Sequence, residues 1–195
     1  MTGSEAIQIA GGLFVKDFEL GSEELRNAYR LCYENFIVGL DGQNKGLAIT
    51  GSIGCGKTVM MKVLQKLFKD SPRAFRWVNS GTLRDMLDEG SLSQIKDAYG
   101  YDCKIDLYID DVGHNLPATV KYGNVINVVS EIIMERYDLF INEGYKTHIS
   151  TNLLPKLTNN PTNQPTLETF LGNRCYDRIK EMNQFVTINS KSLRK

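Results

Sequence analysis

The chain predicts an α/β fold in which a mainly parallel sheet of five strands is sandwiched between helices. Three observations carry the prediction. Short apolar runs alternate with segments whose apolar residues recur at helical spacing, the order expected of parallel strands joined by helical crossovers. "GSIGCGKT", Gly51 to Thr58, fits the pattern GxxxxGK[ST] and lies between one such strand and one such helix. The 195 residues are 42% hydrophobic and 24% charged, enough to bury one sizeable core and too few for a second full domain.

Residues 1–20, with the small-residue stretch "MTGSEAIQIAGG", are expected to be a short flexible segment ahead of a core spanning 21–195. From Ser22, "SEELRNAYRLCYENFIVGL" sets Leu25, Tyr29, Cys32, Tyr33 and Phe36 at helical spacing, with Ser22 as N-cap and glutamates in the first turn. "DGQN" breaks that helix, and "GLAIT" (46–50) is the first strand. After Lys57, "TVMMKVLQKLF" places Val59, Val63, Leu64, Leu67 and Phe68 on one helix face, ending before Pro72. "RAFRWV" reads as a second strand, "NSGTLRDMLDEG" as a capped helix closed by Gly90, and "KIDLYIDD" as a third strand ending in two carboxylates. Asp106 shares a face with Asp110 and is a polar intruder in a strand that should be buried.

Residues 124–137, "NVINVVSEIIMERY", read as one helix with Val125, Val128, Val129, Ile132 and Ile133 on its apolar side. Gly144 leads to a fourth strand, "YKTHIS", ending at Thr151-Asn152. "KLTNNPTNQPTLETF" begins as an Asn-, Thr- and Pro-rich loop and turns helical near Leu167. A further helix carries Arg174 and Arg178 one turn apart, and "FVTI" closes as the fifth strand. No internal repeat or low-complexity tract is present.

Lysine plus arginine equals aspartate plus glutamate at 23 each, so no global field draws the chain to nucleic acid or to an anionic membrane, and any such binding is local. The best basic cluster is Lys62, Lys66, Lys69, Arg73 and Arg76, which reads first as a solvated helix face. The four cysteines, Cys32, Cys55, Cys103 and Cys175, are far apart and lack histidine partners, against both a zinc site and a disulfide framework. A reducing cytosol, and so a cytoplasmic location, is the expectation. No apolar run approaches the roughly 20 residues needed to span a bilayer, and no signal peptide pattern opens the chain. His114 reads as a loop residue and His148 as a core or interface histidine.

"GSIGCGKT" predicts a phosphate-binding loop. Gly51, Gly54 and Gly56 let backbone amides turn inward around anionic oxygens at the N-terminus of a helix whose dipole favours negative charge. Lys57 supplies a point charge to the outer phosphates, and the Thr58 hydroxyl is placed to ligate Mg²⁺. The nucleotide contacts are expected from Gly51, Ser52, Gly54, Cys55, Gly56, Lys57, Thr58 and Val59, Cys55 occupying a free position of the pattern. The strand "IDLYIDD" delivers the acids: Asp110 to the metal shell through water, Asp111 to polarise an attacking water. "DDVG" also fits the DxxG element of GTPases, but no NKxD companion lies downstream. For Arg174 and Arg178, a solvated helix face, a lid closing on the same molecule's phosphates as in a small nucleotide kinase, and a charge supplied elsewhere all remain open.

Together "ITGSIGCGKT", "RWVNSGTLRDML", "LYIDDVG", "IIMERY", "THISTNL" and "LGNRCYDRIKEM" resemble, in order and spacing, the AAA+ ATPase core of the DnaC/IstB family. These are the bacterial and phage helicase loaders and transposition helpers, related to the initiator DnaA. The resemblance covers about residues 18–190. It implies an αβα ATPase core that binds and hydrolyses ATP with Mg²⁺, assembles with ATP into homo-oligomers, contacts single-stranded DNA, and partners a replicative DNA helicase or a transposase. It further implies that Asn152 is the sensor 1 residue near the γ-phosphate, and that Arg178 is an arginine finger with Arg174 in support. Many AAA+ proteins carry a helical lid after the fifth strand; with the chain ending at Lys195, a core without a lid is expected, as in the DnaC/IstB group.

Overall fold

Ser22 caps helix α1, its hydroxyl accepting from the Leu25 amide at 3.1 Å, and α1 runs over Glu23–Ile37. Here and below the molecule is a computed structural model that describes residues 22–37, 44–113, 119–121, 124–156 and 165–189, with Glu5, Ile7, Gln8 and Gly12. Most of the N-terminal segment, residues 114–118 with His114, and residues 157–164 of the Asn-, Thr- and Pro-rich loop lie outside them.

The main sheet contains β1 (Gly46–Gly51), β2 (Phe75–Asn79), β3 (Asp106–Val112), β6 (Thr147–Thr151) and β7 (Asn183–Ile188). Their order is β2-β3-β6-β1-β7, and every pairing is parallel, as expected. Parallel strands need covering on both faces, and β1 shows how the period of two supplies it. Leu47 and Ile49 face α1 and α2 (Lys57–Phe68), where Tyr29, Cys32, Phe36, Met60 and Met61 are buried. Ala48 faces the other layer, with Leu107, Ile109 and Ile149 of its neighbours. That layer comprises α3 (Ser80–Glu89), α4 (Leu92–Tyr99), α5 (Val128–Glu143), α6 (Leu167–Leu171) and α7 (Asn173–Met182). No helical lid is present among the described residues.

Two differences from the sequence reading have local causes. The helix read over 124–137 starts only at Val128: Asn127 caps it, its side chain accepting from the Ser130 amide at 3.2 Å. Asn124–Ile126 is instead strand β5, paired antiparallel with β4 (Thr119–Lys121) in a hairpin outside the main sheet. β-branched pairs on either side of Asn127 satisfy both patterns, and the cap decides between them. The missed helix α4 begins in a capping box, with Ser91 and Gln94 each accepting from the other's backbone amide.

The N-terminal ends of β3 and β6 form a polar knot under α5. Arg136, 0% exposed, donates to Cys103 O at 2.6 Å, to Ile105 O and Lys146 O at 2.9 Å, and to Thr147 Oγ1 at 3.0 Å. The intruding Asp106 finds its partner here, accepting from the Lys146 amide at 2.7 Å; burial pushes its carboxyl up, against the pull of that amide and of Lys146, Arg136 and Arg73. His148 is buried beside the knot against Phe36 and Phe75, its Nδ1 accepting from the Leu47 amide at 3.0 Å.

Arg136→Met leaves three carbonyls and a hydroxyl buried without this donor, so it should lower unfolding free energy by about 3–5 kcal/mol in a urea titration. Burial, with Lys146 and Arg136 nearby, pushes the His148 imidazole down to about 3. Its stability contribution is therefore complete above pH ~6.5 and is lost as pH falls toward about 3, because only the unfolded chain takes up the proton. Between pH 7.5 and 5.5 this amounts to about 1 kcal/mol, and His148→Gln should flatten the pH slope of unfolding over that interval by a similar amount.

Candidate phosphate-binding site

β3, β6 and β1 are consecutive in the sheet, so the loops at their C-terminal ends lie side by side. The "GSIGCGKT" loop follows β1, the paired acids end β3, and Asn152 follows β6. Residues 52 and 95 positions apart in sequence thereby come into contact.

The loop has the backbone its glycines predict, with Gly54 at φ 81° and Gly56 at φ 101°, in the left-handed region that other residues rarely adopt. Gly56 caps α2 without a side-chain bond, so the first amides of a 12-residue helix are available to an anion. Tyr29 of α1 donates its hydroxyl to Gly56 O at 2.9 Å and ties the preceding helix to the loop. Lys57, 5% exposed, donates to Gly51 O and Ser52 O at 2.9 Å and to Asn152 Oδ1 at 2.5 Å. Its three protons are thus shared between the loop and the residue after β6. The Cys55 thiol is buried, with Sγ 3.8 Å from Lys57 Nζ. Val59, the third residue of α2, packs against the core.

The acids sit in a β-bulge. Ile109 pairs with Ile149 and Val112 with Thr151, so Asp110 and Asp111 together stand opposite Ser150. Asp111 adopts φ 55°, a conformation Asp tolerates better than most residues. Asp110, 5% exposed, accepts from Tyr108 Oη at 2.5 Å, Ser150 Oγ at 2.6 Å and Thr58 Oγ1 at 3.2 Å, all at Oδ1, and Thr58 also reaches Oδ2 at 3.3 Å. Burial and the Asp110 charge push the Tyr108 phenol up, which keeps it a protonated donor. The bulge backbone is held by Ser150 Oγ accepting from Asp111 N at 3.0 Å, Ser80 Oγ donating to Asp111 O at 2.6 Å, and Thr151 Oγ1 donating to Val112 O at 2.7 Å. Thr58 and Asp110 form a pair of oxygen donors from two elements, a set that suits a hard divalent cation.

Lys57, Thr58, Asp110, Asp111 and Asn152 are therefore gathered at the C-terminal ends of the three central strands. The arginines are not part of that cluster. Arg178 lies with its guanidinium 4.2 Å over the Tyr137 ring of α5, donates to Tyr137 Oη at 3.0 Å, and reaches Glu181 at 3.5 Å; Arg174 is exposed one turn nearer the helix start. The basic cluster likewise divides: Lys62, Lys66 and Lys69 are exposed along α2, while Arg73 donates to Phe36 O and Arg76 to Ala98 O, each at 2.7 Å. Sequence reading overlooked Ser80, Tyr108 and Ser150. The available signal was a polar side chain at a buried strand position, the same one that drew notice to Asp106.

No helix among the described residues is long and apolar enough to cross a membrane. No protein-family model matches the chain, and no curated protein matches it in sequence. Solved structures do match. A crystal structure of DnaI aligns with 100% of this chain and 95% of its own at 17% identity and TM-score 0.56. The DnaC helicase loader aligns with 89% of this chain and 95% of its own at 18% identity and TM-score 0.55. AMPPCP-bound DnaA from Aquifex aeolicus aligns with 85% of this chain and 47% of its own at 16% identity and TM-score 0.56. With its five parallel strands between two helical layers and a phosphate-loop pattern after β1, the chain has the fold that these structures share.

Proposed function

We propose that the chain is an ATPase of the AAA+ type that assists DNA replication by loading a replicative helicase onto single-stranded DNA, with residues 21–195 as its core. The observation that carries the nucleotide reading is the Lys57 ammonium, held between two loop carbonyls and Asn152 beside the Thr58–Asp110 pair. Loop amides and Lys57 bind the phosphates, Lys57 exchanging neutral acceptors for charged ones. Asn152, already bonded to the ammonium that meets the outer phosphate, orients a water there, and Asp111 accepts its proton. Thr58 and Asp110 are the residues that would hold Mg²⁺, which when bound neutralises charge on the phosphate oxygens. The AMPPCP-bound DnaA structure of the same fold supports a nucleotide as ligand, and the DnaC helicase loader supports the cellular role.

Arg178 rests on its own α5 and makes its polar contacts there, which favours action on a neighbouring molecule over a lid in cis. Reaching a neighbour's γ-phosphate means leaving Tyr137 and Glu181, contacts worth about 1–2 kcal/mol together at a half-exposed site. Charge-assisted bonds to phosphate exceed that. ATP would therefore draw copies of the chain together, each completing the next one's site, with Arg174 as a second basic group. The exposed lysines of α2 are the candidate contact with DNA. A transposase as the partner requires the same ATP site and differs only in what the assembly holds. Retention of the helicase from a host extract, dependent on ATP, separates the two.

Lys57→Ala should weaken ATP binding at least tenfold, about 1.4 kcal/mol or more, by calorimetry; unchanged affinity removes the assignment. Arg178→Ala should bind ATP normally yet hydrolyse it on the order of 10³-fold more slowly or worse. Mixed with Lys57→Ala, whose own site is empty but whose Arg178 is intact, it should regain part of the lost activity. No rescue at concentrations that drive assembly restores the lid in cis.

A further inference from the structure

Of all polar side chains near the site, Ser150 has the least ordinary position. It is fully buried in the central region of a parallel sheet, where an apolar residue would be expected, and it stands opposite two residues rather than one. Its hydroxyl is used in both senses. It donates to Asp110 Oδ1 at 2.6 Å and accepts from the Asp111 amide at 3.0 Å, so one oxygen grips the side chain of the first acid and the backbone of the second. Bulges are rare between parallel strands, because the extra residue leaves ladder groups unpaired. Here the amide of Asp111 donates to Ser150 Oγ. That bond helps hold Asp111 at φ 55° and so out of the strand's alternation.

We infer that Ser150 is the positioning residue that sets both acids, fixing the Asp110 carboxylate against Thr58 and fixing the bulge that presents Asp111. The inference rests on the nucleotide reading of the site. Tyr108 and Ser150 both donate to Oδ1, so that oxygen is occupied by protein hydroxyls, and Oδ2 is left with the single long contact from Thr58. Oδ2 is thus the oxygen offered to a metal shell. The geometry also gives β6 two duties two residues apart: Ser150 places the acids, and Asn152 meets Lys57. Loss of the hydroxyl leaves Asp110 held by Tyr108 and Thr58 alone and removes the bond from the Asp111 amide to Ser150, so both acids are less firmly set, while the loop that grips phosphate is untouched.

The test compares ATP affinity in EDTA and in Mg²⁺, and follows Mn²⁺ binding to the protein–ATP complex by the resonance signal of free Mn²⁺. For Ser150→Ala we expect affinity in EDTA within twofold of the parent. The metal concentration that half-saturates the complex should rise at least fivefold, and hydrolysis should fall at least tenfold. Ser150→Thr, which keeps the hydroxyl, should stay within threefold of the parent in metal half-saturation. If Ser150→Ala does not fold, Ser150→Cys, nearly isosteric and a weak donor, is held to the Ser150→Ala thresholds. A purely structural serine would lower the melting temperature and leave metal half-saturation at the parent value, which overturns the inference. A parent protein that binds ATP in neither buffer ends the nucleotide reading itself, and the inference with it.

Discussion

A carboxylate buried at the end of a central strand is the constraint around which this molecule is arranged. Asp110 is 5% exposed, and an ionised group so placed costs several kcal/mol unless strong donors surround it. The donors are three hydroxyls from three elements: Tyr108 on β3, Ser150 on β6 and Thr58 on α2. Meeting that demand requires β3 beside β6 and the phosphate loop folded over both. Lys57 then lies within reach of Asn152, and the functional cluster follows from the solvation of one charge.

The two ends of the sheet solve their polar problems differently. At the N-terminal end, Arg136 distributes its protons over four buried acceptors, and Asp106 takes the Lys146 amide. At the C-terminal end the bonds are exchangeable: Lys57 with neutral carbonyls and an amide, and Thr58 with Asp110 at 3.2 Å. A phosphate ester would offer Lys57 a better partner than the neutral groups it holds. A closed end keeps the fold, and an end of weaker polar contacts suits the ligand proposed above.

The alternation of strands and helices was legible because burial on both faces of a parallel sheet forces continuous apolar runs, and helical crossovers force amphipathic spacing. "GLAIT", "TVMMKVLQKLF" and "KIDLYIDD" carry those signals without ambiguity, and the glycines of "GSIGCGKT" specify a backbone only they adopt readily. The hairpin at 119–126 was not legible, since "NVINVV" suits strand and helix equally and only the Asn127 cap separates them.

The sequence by itself thus determined the layer architecture, the glycine backbone of the 51–58 loop and the ending of β3 in two carboxylates, because each depends on residue type and near-neighbour spacing. What only the tertiary structure decided is which distant groups meet. Strand order placed β6 between β1 and β3, and with it Ser150 on the acids and Asn152 on Lys57. A one-residue bulge then lifted Asp111 out of the alternation, a register event that period-two reading assumes away. Arg178 belongs to the same class: its four-residue spacing from Arg174 is local, but its seat on Tyr137, 41 positions away, exists only once α5 and α7 have packed.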